Sequence, residues 1–268
     1  MSADHLLPQR VLVTRPQCDA TPWVQGLRAQ GVDAQAFPLI EIVGAPDPSA
    51  LHCAWTRLGT CSALMFVSAN AVRHFMAARP ATSPMPMAQA WGTGPGTEAA
   101  LREAGWPAHL ILCPAADAAQ FDSEALWALV QADVRAWREQ GGAPQVLIVR
   151  GADAHGQMAG RDWLARQMAD AGLQVSQCSA YARQAPRLDA TQQSLARQAL
   201  VDGHWWLFSS SEAAAHLREA VPDADLGHAC ALATHPRIAE RLQQMGWGRV
   251  VLVPATLFEQ ARSIKSLT

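Results

Sequence analysis

The sequence predicts an α/β protein with parallel sheets, internally duplicated. Short β-branched or apolar runs alternate with amphipathic stretches rich in Ala, Arg, Glu and Gln, the pattern of strands laid side by side by intervening helices. Gly92-Thr-Gly-Pro-Gly-Thr-Glu-Ala-Ala-Leu-Arg-Glu-Ala-Gly-Trp106 is echoed by Ala233-Thr-His-Pro-Arg-Ile-Ala-Glu-Arg-Leu-Gln-Gln-Met-Gly-Trp247, at a constant offset of 141. The same offset pairs Phe66-Val-Ser-Ala-Asn70 with Leu207-Phe-Ser-Ser-Ser211, and Gly31 with Gly172. Val11-Leu-Val-Thr-Arg15 matches Val146-Leu-Ile-Val-Arg150 at the shorter offset of 135, so the second copy carries extra residues after its first strand. Two copies of one plan imply two lobes and a cleft.

In chain order, the first unit is a strand Val11–Thr14, a helix near Pro22–Gln30 closed by Gly31, and a strand Ala34–Ile42. Strands follow near Leu64–Val67, Gln89–Trp91 and Leu110–Leu112. A second strand–helix–strand unit takes Val146–Arg150, Arg161–Ala171 and Gln174–Tyr181, with Gly172 at its helix end. The last strands lie near Trp205–Phe208, Cys230–Ala233 and Val250–Val253. Gly44-Ala-Pro-Asp-Pro48 and Gln184-Ala-Pro186 read as linkers, Arg79–Met87 with its three prolines as a loop, and Gly141-Gly-Ala-Pro144 as the joint between copies. The residues after Phe258 are expected to fray.

Composition removes several classes of function. The 268 residues are half apolar, enough for a buried core, and the formal net charge of −2 offers no general attraction to nucleic acid or anionic membrane. Lys265 is the only lysine, which argues against Schiff-base chemistry, pyridoxal phosphate and a lysine phosphate-binding loop. The six cysteines form no C-x-x-C pair, and the nine histidines show no ligand spacing. Without a basic, apolar leader or an 18-residue apolar run, the chain reads as a soluble protein of a reducing compartment.

What remains are polar residues at strand ends, where open α/β sheets place ligands. Ser68 and Ser209 follow strands and precede helices, so each is either an N-cap or an anion contact; recurrence in both copies favours the contact. Gly92-Thr-Gly-Pro-Gly-Thr97 suits an oxyanion loop better than a dinucleotide fingerprint, because Pro95 interrupts it and Thr97 stands at the sixth position. Its echo offers Thr234, His235 and Arg237 instead of glycines. Arg15 and Arg150 each open the loop after the first strand of their copy, either as structural arginines or as forks for carboxylate or phosphate. Tyr181 is the only tyrosine, in a chain that packs with ten Trp and six Phe, and it precedes a linker, facing the region between lobes. Such a site orients a polyanion that brings its own reactivity.

These residues resemble the uroporphyrinogen-III synthase family over about residues 9–258. The resemblance runs through Val11-Leu-Val-Thr-Arg-Pro16, Phe66-Val-Ser-Ala-Asn-Ala-Val72, Gly94-Pro-Gly-Thr97 with Leu101, Val149-Arg-Gly151 with Arg161 and Leu164, Tyr181, Phe208-Ser-Ser210 and His235-Pro-Arg-Ile-Ala-Glu240. Ile238 departs from the Gly-x-x-Thr pattern of that family, leaving Thr234 or backbone amides to serve. The resemblance implies two Rossmann-like domains joined by two linker strands around a cleft: residues 1–43 with 184–268, and residues 46–182. It implies a cyclising dehydratase that converts hydroxymethylbilane to uroporphyrinogen III, inverting ring D, with no cofactor or metal. It implies Tyr181 as proton donor, directly or through water, to the departing hydroxyl. The substrate's carboxylates then fall to Arg15, Ser68, Asn70, Gly94, Thr97, Arg150, Gly151, Ser209, Ser210, Thr234 and His235. The expected protein is a cytoplasmic monomer acting on a small molecule, bound to neither nucleic acid nor membrane. Two rivals are a non-catalytic bilobed binding protein or sensor and a nucleotide-dependent enzyme using Gly92–Thr97.

Overall fold

The computed structural model describes residues 10–45, 47–115, 123–158 and 163–267. Eleven strands are named among them: β1 Val11–Val13, β2 Ala34–Ala36, β3 Glu41–Gly44, β4 Cys61–Phe66, β5 Gln89–Gly92, β6 Ile111–Leu112, β7 Gln145–Ala152, β8 Gln174–Gln184, β9 Trp205–Phe208, β10 Cys230–Ala233 and β11 Arg249–Leu252. The helices are α1 Gln17–Ala29, α2 Pro48–Thr56, α3 Ala69–Ala77, α4 Pro95–Glu103, α5 Ser123–Glu139, α6 Trp163–Asp170, α7 Ala190–Ala199, α8 Ser211–Ala220, α9 Pro236–Gln244 and α10 Leu257–Lys265.

The chain divides into two compact units, Met1–Glu41 with Gln184–Thr268, and Ile42–Arg183. Unit 1 holds a five-stranded sheet in the order β11-β10-β9-β1-β2, parallel throughout. Its core gathers Val11, Val13, Leu27, Trp205, Leu207 and Ile264. Unit 2 holds a six-stranded sheet in the order β3-β8-β7-β4-β5-β6, in which β8, β7, β4, β5 and β6 pair in parallel. Strand β7 is buried on both faces, as parallel strands under two helical layers are: Val146 and Ile148 enter one core with Leu126 and Val130 of α5, while Leu147 and Val149 enter the other with Val72 and Phe75 of α3.

Each sheet has a point where the strand order reverses. In unit 1 the chain runs outward from β1 to β2 on one side and from β9 through β10 to β11 on the other. In unit 2 the reversal lies between β4 and β7. The carboxyl ends of the strands flanking such a switch point form a crevice, because their connections leave in opposite directions.

Several boundaries differ from the sequence reading. The strand expected over Ala34–Ile42 is two, because β2 pairs with β1 in the unit 1 sheet whereas β3 lies beside β8 in the unit 2 sheet. Helix α1 begins at Gln17, five residues before Pro22, and carries that proline within it. The Asp47-Pro48 portion of the first linker starts α2: the Asp47 carboxylate accepts from the amides of Ser49 and Ala50, with Pro48 in the first turn. Residues 259–265 do not fray. They continue as α10, anchored by Ala261 and Ile264 one turn apart in the unit 1 core. Pro46 and Arg161, within the expected linker and helix, lie outside the described residues.

Gly31 and Gly172 end α1 and α6 at φ +80 and +85, the left-handed conformation expected of them. The two echoed phrases finish alike: Trp106 N–H donates to Leu101 O at 3.0 Å and Trp247 N–H to Leu242 O at 3.2 Å, each reaching back over the last turn of its helix.

Candidate active site

The carboxyl edge of the unit 2 sheet is built around one phenol. Tyr181 lies in β8 and is 5% exposed, packed in the core that holds Val149, Val72 and Phe75. A bulge aims it there. Arg150 pairs with Ser179, but Gly151 pairs with Tyr181, so β8 gains one residue, Ala180, and every later side chain changes face. Ser179 Oγ donates to Tyr181 O at 3.0 Å, bridging the extra residue. The phenol then stands over Gly151, and its hydroxyl meets Ser68 Oγ at 3.2 Å. Ser68 also accepts from Ala71 N–H at 3.1 Å, so one oxygen both caps α3 and contacts the phenol.

Three further residues complete this edge. Asn70, 8% exposed in the first turn of α3, accepts from Arg73 Nη1 at 3.2 Å. His74 lies one turn beyond Asn70, its ring centroid 5.7 Å from that of Tyr181 and tilted by 32°. Burial, reinforced by Arg73, holds the His74 imidazole below its usual titration range, so it is neutral at neutral pH. Thr93 Oγ1 donates to Val67 O at 3.2 Å and ties the loop after β5 to the loop after β4.

At the start of α4, Gly94 is the N-cap in an extended conformation that any residue can adopt. Thr97 is 4% exposed and packs its methyl toward Gly92, where a Cβ would lie 3.0 Å away. Open space remains over Gly96. Arg150 differs from expectation. It opens no loop but sits inside β7, 4% exposed, and donates Nη1 to Gln177 Oε1 at 2.8 Å, because β7 runs on to Ala152. Gly151 is likewise within the strand and faces the phenol.

In unit 1 the site residues leave the three adjacent strands β1, β9 and β10. Thr14 Oγ1 donates to Leu207 O at 2.8 Å and fastens the end of β1 to β9 at the switch point. The Arg15 guanidinium lies 3.8 Å above the Trp23 ring, and Trp23 Nε1 donates to Gln260 Oε1 at 2.8 Å. Burial holds the Arg15 pKa below its ordinary value, an effect that Asp19 partly offsets. Ser209 is half-buried, and its enclosed hydroxyl has no hydrogen-bond partner among the described residues. The N-cap of α8 is Ser210, which accepts from Glu212 N–H at 3.1 Å; the cap falls one residue later than Ser209 because α8 starts at Ser211. Thr234 follows β10, half-buried, and His235 caps α9 by accepting from Arg237 N–H at Nδ1, 3.2 Å away. Ile238 is buried in α9.

The structure thus brings Ser68, Gly151 and Tyr181 into direct contact in unit 2, and sets Arg15, Ser209, Ser210, Thr234 and His235 at one sheet edge in unit 1. The sequence reading passed over His74, Ser179, Thr14 and Trp23. His74 was legible six residues beyond Ser68 on a helix following β4; Ser179 and Trp23 act through a bulge and a stacking that leave no pattern in sequence.

Among the described residues no group of three or more His, Cys, Asp or Glu could hold a metal ion, and no helix is long and apolar enough to cross a membrane. The chain matches the family model described as uroporphyrinogen-III synthase HemD over residues 21–258. Its fold is similar to that of uroporphyrinogen-III synthetase from Helicobacter pylori, with a TM-score of 0.59 and 15% identity over 98% of this chain and 100% of that one. It is also similar to a mutant uroporphyrinogen III synthase from Thermus thermophilus, with a TM-score of 0.55 and 17% identity over 96% and 98% of the two chains.

Proposed function

This chain belongs to the uroporphyrinogen-III synthase family, cyclising hydro-lyases of haem biosynthesis, and from that premise we propose that Tyr181 supplies the acid that starts its reaction. The family implies hydroxymethylbilane as substrate. The phenol protonates the substrate's hydroxymethyl oxygen. The carbon–oxygen bond breaks with its electron pair on oxygen, water departs, and the pyrrole nitrogen lone pair, conjugated through the ring, stabilises the vacated carbon as an azafulvenium cation. A ring D carbon attacks that carbon, and the spiro intermediate opens and recloses with ring D inverted. The proton that ring D finally loses returns to the phenolate, so the balance is one water released.

The observation that carries this reading is the hydroxyl of the only tyrosine held 3.2 Å from Ser68 beside the β4/β7 switch point. The substrate is reactive enough to cyclise unaided to the wrong isomer, so the protein must mainly fix geometry and assist departure of the hydroxyl. Its carboxylates fall to Asn70, the start of α4 at Gly94 and Thr97, and in unit 1 to Arg15, Ser209, Ser210, Thr234 and His235. Arg150 and Gly151 serve the site from behind, through Gln177 and through Tyr181.

The same reading has the protein acting as a cytoplasmic monomer without cofactor or nucleic acid, consistent with a net charge of −2. The domains are 1–43 with 184–268, and 46–182; the division into two compact units supports this assignment. Sedimentation of the purified chain at working concentration should give one species near 28.8 kDa.

Tyr181→Phe tests the acid. With freshly generated hydroxymethylbilane, turnover should fall about 10²–10⁴-fold, and the oxidised products should shift to the type I isomer of the enzyme-free control. Unchanged turnover would remove the acid from Tyr181. The rival of a non-catalytic binding protein predicts a type I pattern even for the unaltered chain, and family membership does not favour it.

A further inference from the structure

We propose that Gly151 is a positioning residue whose missing side chain is the space that holds the Tyr181 phenol on Ser68. The inference rests on the reading of Tyr181 as the acid. A Cβ at position 151 would lie 2.5 Å from Tyr181 Cζ, 2.6 Å from Cε2 and 2.9 Å from the hydroxyl oxygen, all closer than real Cβ contacts come. Gly151 has no positive φ, so backbone freedom is not what requires glycine there. The requirement is room.

The room is specific to the hydroxyl end of the ring. The bulge that skips Ala180 sets Tyr181 opposite Gly151, and Ser179 Oγ secures the bulge through Tyr181 O. The ring is enclosed by the core that contains Val149 and Phe75, with His74 alongside. It cannot turn aside freely, so a methyl at position 151 displaces the phenol by about an ångström from Ser68. A misplacement of that size at a reacting group costs about 10²-fold in rate.

Gly151→Ala should therefore lower kcat about 10²-fold with KM changed less than twofold, and raise the type I share of the product. Because the chain has a single tyrosine, protein labelled with 13C at tyrosine Cζ gives one signal, and Gly151→Ala should move it. In a Tyr181→Phe background the alanine should cost no further turnover, since the group it misplaces is already gone. An unmoved tyrosine signal, or an equal loss of turnover on top of Tyr181→Phe, overturns the proposal. Should Gly151→Ala fail to fold, the same change in a Tyr181→Leu chain, which lacks the ring end, should melt like Tyr181→Leu alone; failure to fold there also overturns it. The acid reading fails separately, by full turnover in Tyr181→Phe, and a moved tyrosine signal in Gly151→Ala would still support the steric seat.

Discussion

Ser68 in unit 2 and Ser209 in unit 1 stand at matching places after a strand beside the switch point, yet they end differently. Ser68 caps α3 and contacts Tyr181. The hydroxyl of Ser209 is enclosed with no partner among the described residues, and the capping of α8 passes to Ser210. The indoles closing the echoed phrases differ in the same sense. Trp106 Nε1 donates to Ala88 O at 3.1 Å, whereas Trp247 Nε1 has no partner among the described residues. At the unit 2 edge the serine hydroxyl is thus engaged by the helix it caps and by the phenol. The unit 1 edge keeps a serine hydroxyl and the stacked Arg15 guanidinium, groups that a carboxylate would satisfy. Under the proposed function, a proton would move at the unit 2 edge and an anion would bind at the unit 1 edge.

Removing the two serines in turn should separate the two edges most strongly. Ser68→Ala should lower kcat about tenfold or more, by the loss of one positioned partner, and cost about 1 kcal/mol of stability through the lost cap. Ser209→Ala should leave kcat near its original value and raise KM. It should also melt no lower than the parent chain, since an unsatisfied enclosed hydroxyl costs about 1–3 kcal/mol. Steady-state kinetics and thermal melts on both variants check this, and equal effects on kcat would erase the distinction.

Arg15→Met comes next in size. The aliphatic stem can still cover Trp23, so loss of the charge should raise KM about tenfold, the scale of one charge-assisted hydrogen bond, with the isomer ratio unchanged. A change in isomer ratio would place Arg15 in the chemistry instead.

The smallest expected effect is on pH. The His74 pKa is lowered by burial first and by Arg73 second, from an ordinary value of 6.5. Between the lowered and ordinary values the unfolded chain binds more protons than the folded one, so folding stability rises with pH there. The loss should set in as pH falls below about 6.5 and level off under the lowered folded value. His74→Phe, which keeps a flat ring, should remove that slope in chemical denaturation measured from pH 7 downward.

A second titration separates the cysteines. Burial raises the Cys178 thiol to about 12 and, helped by Glu98, the Cys113 thiol to about 11. Both should resist alkylation at neutral pH while exposed Cys18 and Cys53 react; mass spectrometry of the alkylated native chain reads this directly.

Much of the fold was legible. The strands Trp205–Phe208 and Cys230–Ala233 fall where the apolar runs end against Ser209 and Thr234, because a four-residue buried strand is bounded by its first polar neighbours. Gly31 and Gly172 marked helix ends through a conformation that only glycine adopts cheaply. Helix α5 was legible but passed over: Leu126, Val130 and Val134 recur every four residues along one buried face. The division of β2 from β3 and the reach of β7 to Ala152 were harder, since both depend on which neighbouring strand is there to pair.

Of the site, residue order was enough to show which groups stand at strand ends and that a single phenol was set apart from the packing aromatics. What those groups touch was settled only when the strands came together. Gly151 and Tyr181 are thirty residues apart in sequence and meet because parallel strands pair in a register shifted by one residue at Ala180. Side-chain direction alternates along a strand, so that single shift selects the face on which the phenol stands. A register is a property of two strands together, and neither strand's own sequence records it.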